Sequence, residues 1–246
     1  MSTNIMNKSL SYVPMGEKTI IVKFEDILSP EVNNRVRSLS RLISERNITG
    51  IERLIPAFNS LAVCYNPRLI KFQELVEELK VLESSMTLAN DTESKKVYIP
   101  VVYGGTYGPD LEEVAEQTNL SPNDVVEIIQ SKPYLTYMVG FIAGFPYCGD
   151  LDERLILPRR SSPRIKIPKG SIAIANEQIG LYTISSPGGW HIIGWSPMET
   201  FNPYHEPPSV IHAGDYVQFV QISPEEAEAW DEQRQREWDQ TWNSQR

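Results

Sequence analysis

Three stretches of this sequence hold residue types that could do chemistry together. From Arg154 to Lys169 there are six basic residues (Arg154, Arg159, Arg160, Arg164, Lys166 and Lys169) and no acid. Arginine forks grip carboxylates and phosphates through paired N–H donors, and a local positive patch draws anions toward it. The second stretch is Ser185-Ser-Pro-Gly-Gly-Trp-His-Ile-Ile-Gly194. Its two bare glycines, Gly188 and Gly189, can turn backbone N–H groups toward an anion or a developing oxyanion. His191 follows, the side chain type best suited to moving protons near neutral pH. The third is Gly140-Phe-Ile-Ala-Gly-Phe-Pro-Tyr-Cys-Gly-Asp150, whose glycines among aromatics suggest a tight backbone path at a cleft or turns between strands. The sharper reading is a pocket for a small anion. Arg159, Arg160 or Arg164 would hold the negative group, Gly188 and Gly189 an oxyanion, and His191 a proton. The plainer alternatives are a solvated basic face and a histidine used for packing.

Other chemistries have less support. Cys148 could act as a nucleophile beside His191, but a small buried thiol is the simpler reading. His205 and His212 stand seven apart among prolines and acids, which is no metal-ligand spacing, so no metal is expected. There is no Gly-x-x-x-x-Gly-Lys-Ser/Thr loop to cradle a nucleotide's phosphates. Two cysteines are too few for a disulfide framework or a zinc site. The 246 residues carry a net charge of −9, with a pI near 5.0, so the overall field repels nucleic acid and anionic membranes. No apolar run approaches the ~18–20 residues of a membrane helix. Met1 to Ser11 lacks the apolar core of a secretory signal. The expectation is a cytoplasmic protein.

These candidate residues need elements to position them. Of 14 glycines only Gly16 and Gly50 precede Gly104, and 11 of 18 prolines lie from Pro133 to Pro224. Long elements are therefore expected first and short strands later. Thr19–Phe24, Ile51–Ile55, Leu61–Tyr65 and Lys96–Ile99 read as strands. Ser29-Pro30-Glu31 opens a helix carrying Val32, Val36, Leu39 and Ile43 on one face. A second helix carries Phe72, Leu75, Val76, Leu79 and Leu82. The order β-α-β-β-α-β is that of a ferredoxin-like α+β domain, placed at residues 1–100. Two short helices follow, Pro109–Thr118 and one opened by the capping box Ser121-Pro-Asn-Asp124. Ser171–Ala175, Gly180–Ile184, Trp190–Ile193 and Tyr216–Val220 then suggest an all-β barrel or sandwich within residues 101–222. Residues 223–246 are acidic, with Trp230, Arg234, Trp238 and Trp242 spaced to share one face of a terminal helix. That face would dock on its own domain or offer a partner interface.

Six ordered blocks carry a resemblance to a known family. They are Tyr103-Gly-Gly-Thr-Tyr-Gly-Pro-Asp-Leu111, Gly140-Phe-Ile-Ala-Gly-Phe-Pro-Tyr147, Pro158-Arg-Arg-Ser-Ser-Pro-Arg164, Pro168-Lys-Gly-Ser-Ile-Ala173, Ser186-Pro-Gly-Gly-Trp-His-Ile-Ile-Gly194 and Pro207-Pro208 with Ala213-Gly-Asp215. Together they resemble the family of allophanate hydrolase subunit 1, the 5-oxoprolinase B-type subunit and the sporulation-kinase inhibitors. The resemblance implies a ferredoxin-like domain followed by a cyclophilin-like barrel. It implies a subunit of an ATP-dependent 5-oxoprolinase that opens 5-oxoproline to glutamate. A subunit-2-type partner and a third subunit would act with it, and ATP would be shared with or held by those partners. Tyr147, Gln178, Ser186 and Trp190 would line the substrate site beside the three arginines. Other branches imply an allophanate or urea-derivative hydrolase or carboxyltransferase, or an inhibitor that binds a sensor histidine kinase through a face such as the tryptophan stripe. The sequence departs from the family pattern at Ile129 and Leu135, where histidine and arginine are usual, at Ala143, where proline is, and at Trp195, where arginine is.

Overall fold

A computed structural model describes residues 9–86 and 94–243. The ends of the 1–11 and 223–246 stretches lie outside the described residues. The chain divides into two units, Met1–Thr92 and Glu93–Arg246.

In the first unit, strands β1 (Ser11–Pro14), β2 (Thr19–Lys23), β3 (Ile51–Pro56) and β4 (Ser60–Tyr65) form an antiparallel sheet in the order β1-β2-β4-β3. Helix α1 (Pro30–Arg46) starts where expected: the Ser29 hydroxyl accepts from the Val32 N–H at 3.3 Å, with proline at the first turn. Its stripe Val32, Val36, Leu39 and Ile43 is buried with Ile20, Val22, Leu61 and Val63 of the sheet, and with Leu75 and Leu79 of α2 (Phe72–Ser85). Lys96–Ile99 does not join this sheet, contrary to expectation; β1 fills the fourth place. That run belongs to a longer strand, β5 (Lys96–Tyr103), which is covered on both faces from Ile99 to Val102. The strands of the first sheet instead alternate between buried and partly exposed positions, as a one-sided sheet must.

In the second unit β5 joins β6 (Tyr134–Val139), β7 (Pro146–Cys148), β9 (Ser171–Ala175), β10 (Gln178–Leu181), β12 (His191–Trp195) and β13 (Tyr216–Gln221). They close a barrel in the order β10-β7-β6-β13-β5-β12-β9. Its interior is filled by Val97, Ile99, Val101, Ile172, Ile174, Ile179, Ile193 and Phe219. The alternate residues Ala173, Ala175 and Ile192 face outward, into an aromatic layer with Phe145, Tyr182 and Trp190. A two-stranded ribbon of β8 (Arg164–Ile167) and β11 (Ser186–Gly188) contributes Ile167 to this layer. Helices α3 (Leu111–Thr118) and α4 (Pro122–Gln130) pack on the barrel, α4 opened by the reciprocal Ser121–Asp124 capping box.

The terminal segment forms two helices rather than one, α5 (Pro224–Glu228) and α6 (Glu232–Trp242). The break falls at Trp230 because Asp231 caps α6, accepting from the Arg234 N–H at 2.8 Å. The tryptophan face turns to its own barrel. Strand β12 pairs with β5 only at Val102 and Tyr103, which leaves the edge at Tyr98 open. There Trp238 Nε1–H donates to the Tyr98 carbonyl at 2.9 Å, and Asn243 Oδ1 accepts from the Tyr98 N–H at 2.8 Å. No helix among the described residues is long and apolar enough to cross a membrane.

Candidate functional site

The basic run, the glycine corner and the histidine do meet, and a buried acid joins them. Asp110, just ahead of α3, is 2% exposed, and four donors converge on its carboxylate. Arg164 reaches it as a fork at 2.6 and 2.8 Å, Arg160 at 3.1 Å, and the Ile192 N–H of β12 at 2.6 Å. Arg160 also bonds Glu113 at 2.6 Å, which, with the charge of Asp110, holds its guanidinium above its ordinary pKa. Behind these ion pairs, Arg160 N–H donates to the Gly189 carbonyl at 2.7 Å, and Arg164 pairs with Gly188 across the ribbon. The 158–164 segment, the glycine corner and the start of β12 are thereby held together. Asp110 lies in the glycine-rich 103–111 block, but only the fold shows that it meets the arginines 50 and 54 residues away.

Two of the three expected anion-binding arginines are thus bound to carboxylates of this chain. Arg159 differs. It is exposed and has no hydrogen bond or ion pair among the described residues. Its charge lowers the pKa of the Tyr147 and Tyr182 hydroxyls, whereas burial raises both more strongly, Tyr182 to about 12. These tyrosines belong to a cluster centred on the Phe145 ring, with Tyr147 at 4.8 Å, Tyr182 at 5.0 Å, Trp190 at 5.6 Å and Phe141 at 6.0 Å between ring centres. Phe141 is 62% exposed and holds a φ of 67°, a conformation that costs a bulky side chain strain. The glycine-aromatic stretch 140–150 therefore builds the wall beside Arg159.

His191 is 3% exposed. It lies opposite Ile174, whose side chain fills the barrel, so it points inward rather than toward the aromatic wall. Its Nε2 lies 2.9 Å from the Pro158 carbonyl, which can only accept, so Nε2 carries the hydrogen. Nδ1 is buried with no partner among the described residues. In this arrangement His191 pins the residue before Arg159. Trp190 is buried in the aromatic layer, whereas the Ser186 hydroxyl turns to the Pro187 carbonyl inside the ribbon. Gln178 opens β10, two residues after the Leu157–Asn176 bridge. Cys148 is fully buried against Thr136 Oγ1 at 3.5 Å, and burial pushes its thiol up to about 12, so it is not a poised nucleophile.

The four departures from the family pattern also have places. Ile129 and Leu135 are buried, 0% and 2% exposed, filling space where a charge would need a partner. Trp195 donates from Nε1 to the Lys169 carbonyl and lies against the Tyr107 ring. The Ala143 carbonyl accepts from the Thr183 hydroxyl.

A cavity of about 1180 Å³ lies elsewhere in this unit, between residues 197–212 and the terminal helices. Lys95, Lys169 and Arg236 line it, but so do Glu199, Glu206, Asp231, Glu232 and Asp239. The lining thus mixes both signs, with His205 and His212 among them and Lys169 paired with Glu199. Among the described residues no cluster of three His, Cys, Asp or Glu side chains is placed to hold a metal.

This unit is thus a closed barrel with an outer aromatic layer and, beside it, an arginine pair buttressed by a buried carboxylate. The chain belongs to the carboxyltransferase domain, subdomain C and D family, whose model matches residues 10–211. It is 40% identical over 229 residues to the B-type subunit of 5-oxoprolinase from Bacillus subtilis strain 168, covering 89% of this chain and 95% of that one. It is 36% identical to the corresponding 5-oxoprolinase subunit of Escherichia coli O157:H7, covering 87% and 97%. Among solved structures, TTHA0988 matches with a TM-score of 0.75 at 31% identity; the match covers 84% of this chain and 40% of TTHA0988.

Proposed function

We propose that this chain is the B-type subunit of an ATP-dependent 5-oxoprolinase and that Arg159 binds the carboxylate of 5-oxoproline. The reading takes the barrel as cyclophilin-like and the first unit as a variant of the ferredoxin-like pattern. The observation that carries it is the division of labour among three clustered arginines. Arg160 and Arg164 are consumed by Asp110 and Glu113, and Arg159 is left with its charge felt by Tyr147 and Tyr182 of an aromatic layer that suits a small ring. A carboxylate on Arg159 forms the charge-assisted fork that guanidinium geometry favours. The apolar ring then rests on Tyr147 and Phe141. His191 acts as a positioning residue by holding Pro158, while Gly188 and Gly189 leave the approach free of side chains.

Lactam opening is uphill without activation, and ATP supplies it. The excess of acids around the cavity described above favours a nucleotide shared with or held by the partner subunits, and turnover requires a subunit-2-type partner with a third subunit. The test is coexpression of the three, followed by ATP-dependent glutamate release. Arg159→Ala is expected to raise the KM for 5-oxoproline about 10- to 100-fold, the worth of a hydrogen bond to a charged group. Arg159→Lys should recover part of the loss. An unchanged KM in Arg159→Ala would remove Arg159 from the site.

A further inference from the structure

Tyr182 has an environment that neither packing nor the hydrogen-bond network of the barrel explains. Its ring is wedged in the outer layer, 5.0 Å from Phe145 between ring centres, and the residue is only 2% exposed. Buried tyrosines normally find a partner for the hydroxyl. Tyr137 shows this in the same barrel, donating to Asp150 Oδ1 at 2.9 Å. The Tyr182 hydroxyl has no hydrogen-bond partner among the described residues, yet it is not sealed from solvent as the orphaned Tyr103 hydroxyl is. The sliver of Tyr182 that solvent reaches therefore includes its polar tip.

That tip lies against position 188. A Cβ added to Gly188 would stand 2.3 Å from the Tyr182 oxygen, so any side chain there would displace the hydroxyl or cover it. The sequence suggests Gly188 as a backbone donor. The structure gives it a second role, as the gap beside a phenol. The field of Arg159 reaches this hydroxyl, as it does that of Tyr147. A cationic fork and a protonated, unpartnered O–H donor thus share one small region, against a wall of rings.

We propose that the Tyr182 hydroxyl donates a hydrogen bond to the amide carbonyl oxygen of the substrate whose carboxylate is held by Arg159. This deepens the reading above and rests on it. The ligand class is a compact ring carrying a carboxylate at one side and an amide oxygen at the other. Negative charge grows on that oxygen as the carbonyl carbon is attacked, and a donor aimed at it in advance favours the transition state over the ground state. Burial keeps the phenol protonated, and so a donor, across the whole physiological range. Tyr182 is then a catalytic residue, and Arg159 sets affinity.

The test uses the reconstituted three-subunit complex and 5-oxoproline itself. Tyr182→Phe removes an oxygen without a partner in the protein, so its melting temperature should match that of the wild type. Its kcat should fall at least tenfold with KM changed less than threefold, the opposite split from Arg159→Ala. Gly188→Ala should also lower kcat. An active wild-type complex in which Tyr182→Phe turns over at the wild-type rate overturns the proposal. So does a loss that appears only with a lowered melting temperature. A wild-type complex that releases no glutamate overturns the underlying functional reading, and the role of Tyr182 with it.

Discussion

Asp110 shows how one buried charge can fix several others. Taking a carboxylate out of water is costly unless attraction and hydrogen bonds offset it, and here two guanidiniums and a backbone N–H do so. Removing the acid leaves Arg160 and Arg164 partly buried beside a lone Glu113. Asp110→Ala is expected to cost about 3–5 kcal/mol, the range for breaking a buried ion pair, and thermal or urea unfolding would measure it. Asp110→Asn keeps the shape but not the charge and should recover little of that loss. Cys148 gives a prediction of opposite kind. Burial raises its thiol from 9.0 to about 12, so the folded state keeps a proton that the unfolded state loses. Its contribution to stability is complete below pH 9 and disappears as pH rises toward about 12. The melting temperature of Cys148→Ala should therefore fall less steeply above pH 9 than that of the wild type, and in a Cys64→Ser background native protein at pH 8 should not react with a thiol reagent. At this scale the sequence singled out side chains that the fold brings together, and concealed their pairings. Three arginines in six positions advertise an anion, but only the fold shows that two of them already have one.

At the scale of elements, helix starts were readable because their chemistry is local. Ser29-Pro30 and Ser121-Pro122 carry their caps within four residues, and both helices begin there. Lys96–Ile99 was legible as a strand but not as a member of a particular sheet. Strand propensity is local, while its partner, β13, lies far down the chain. The terminal helix misled for a related reason. Trp230, Arg234, Trp238 and Trp242 at every fourth position fit one long helix, yet the capping tendency of Asp231 won and Trp230 fell in the break. The segment serves the barrel by closing the edge of β5 at Tyr98. Exposed edges pair with other chains. Deleting residues 232–246 should thus produce concentration-dependent association, visible as larger species in size-exclusion chromatography, whereas Trp242→Ala, at a position already 42% exposed, should stay close to wild type.

For the whole molecule, a net charge of −9 opposes the approach of an anion, and under the proposed function Arg159 attracts one against that field. Both effects are screened by salt, but unequally. The overall repulsion acts over distances beyond the ~8–10 Å Debye length of physiological solutions, whereas the contact with Arg159 is short. Raising ionic strength from very low values should first lower the KM for 5-oxoproline in the assembled enzyme, and only at high salt raise it. A monotonic rise from the lowest salt would show that the local patch already dominates at long range.

The parallel pairing of β5 with β13 has a consequence for synthesis. Lys95 donates its N–H to the carboxylate of Asp215, 120 residues on, where the last barrel strand joins the first. A ribosome making this chain releases Met1–Thr92, with its own core, long before that partner exists. The nascent barrel must wait with one margin unmatched until β13 has emerged. Slow translation or truncation late in the message should therefore yield a folded amino-terminal portion attached to a chaperone-dependent remainder.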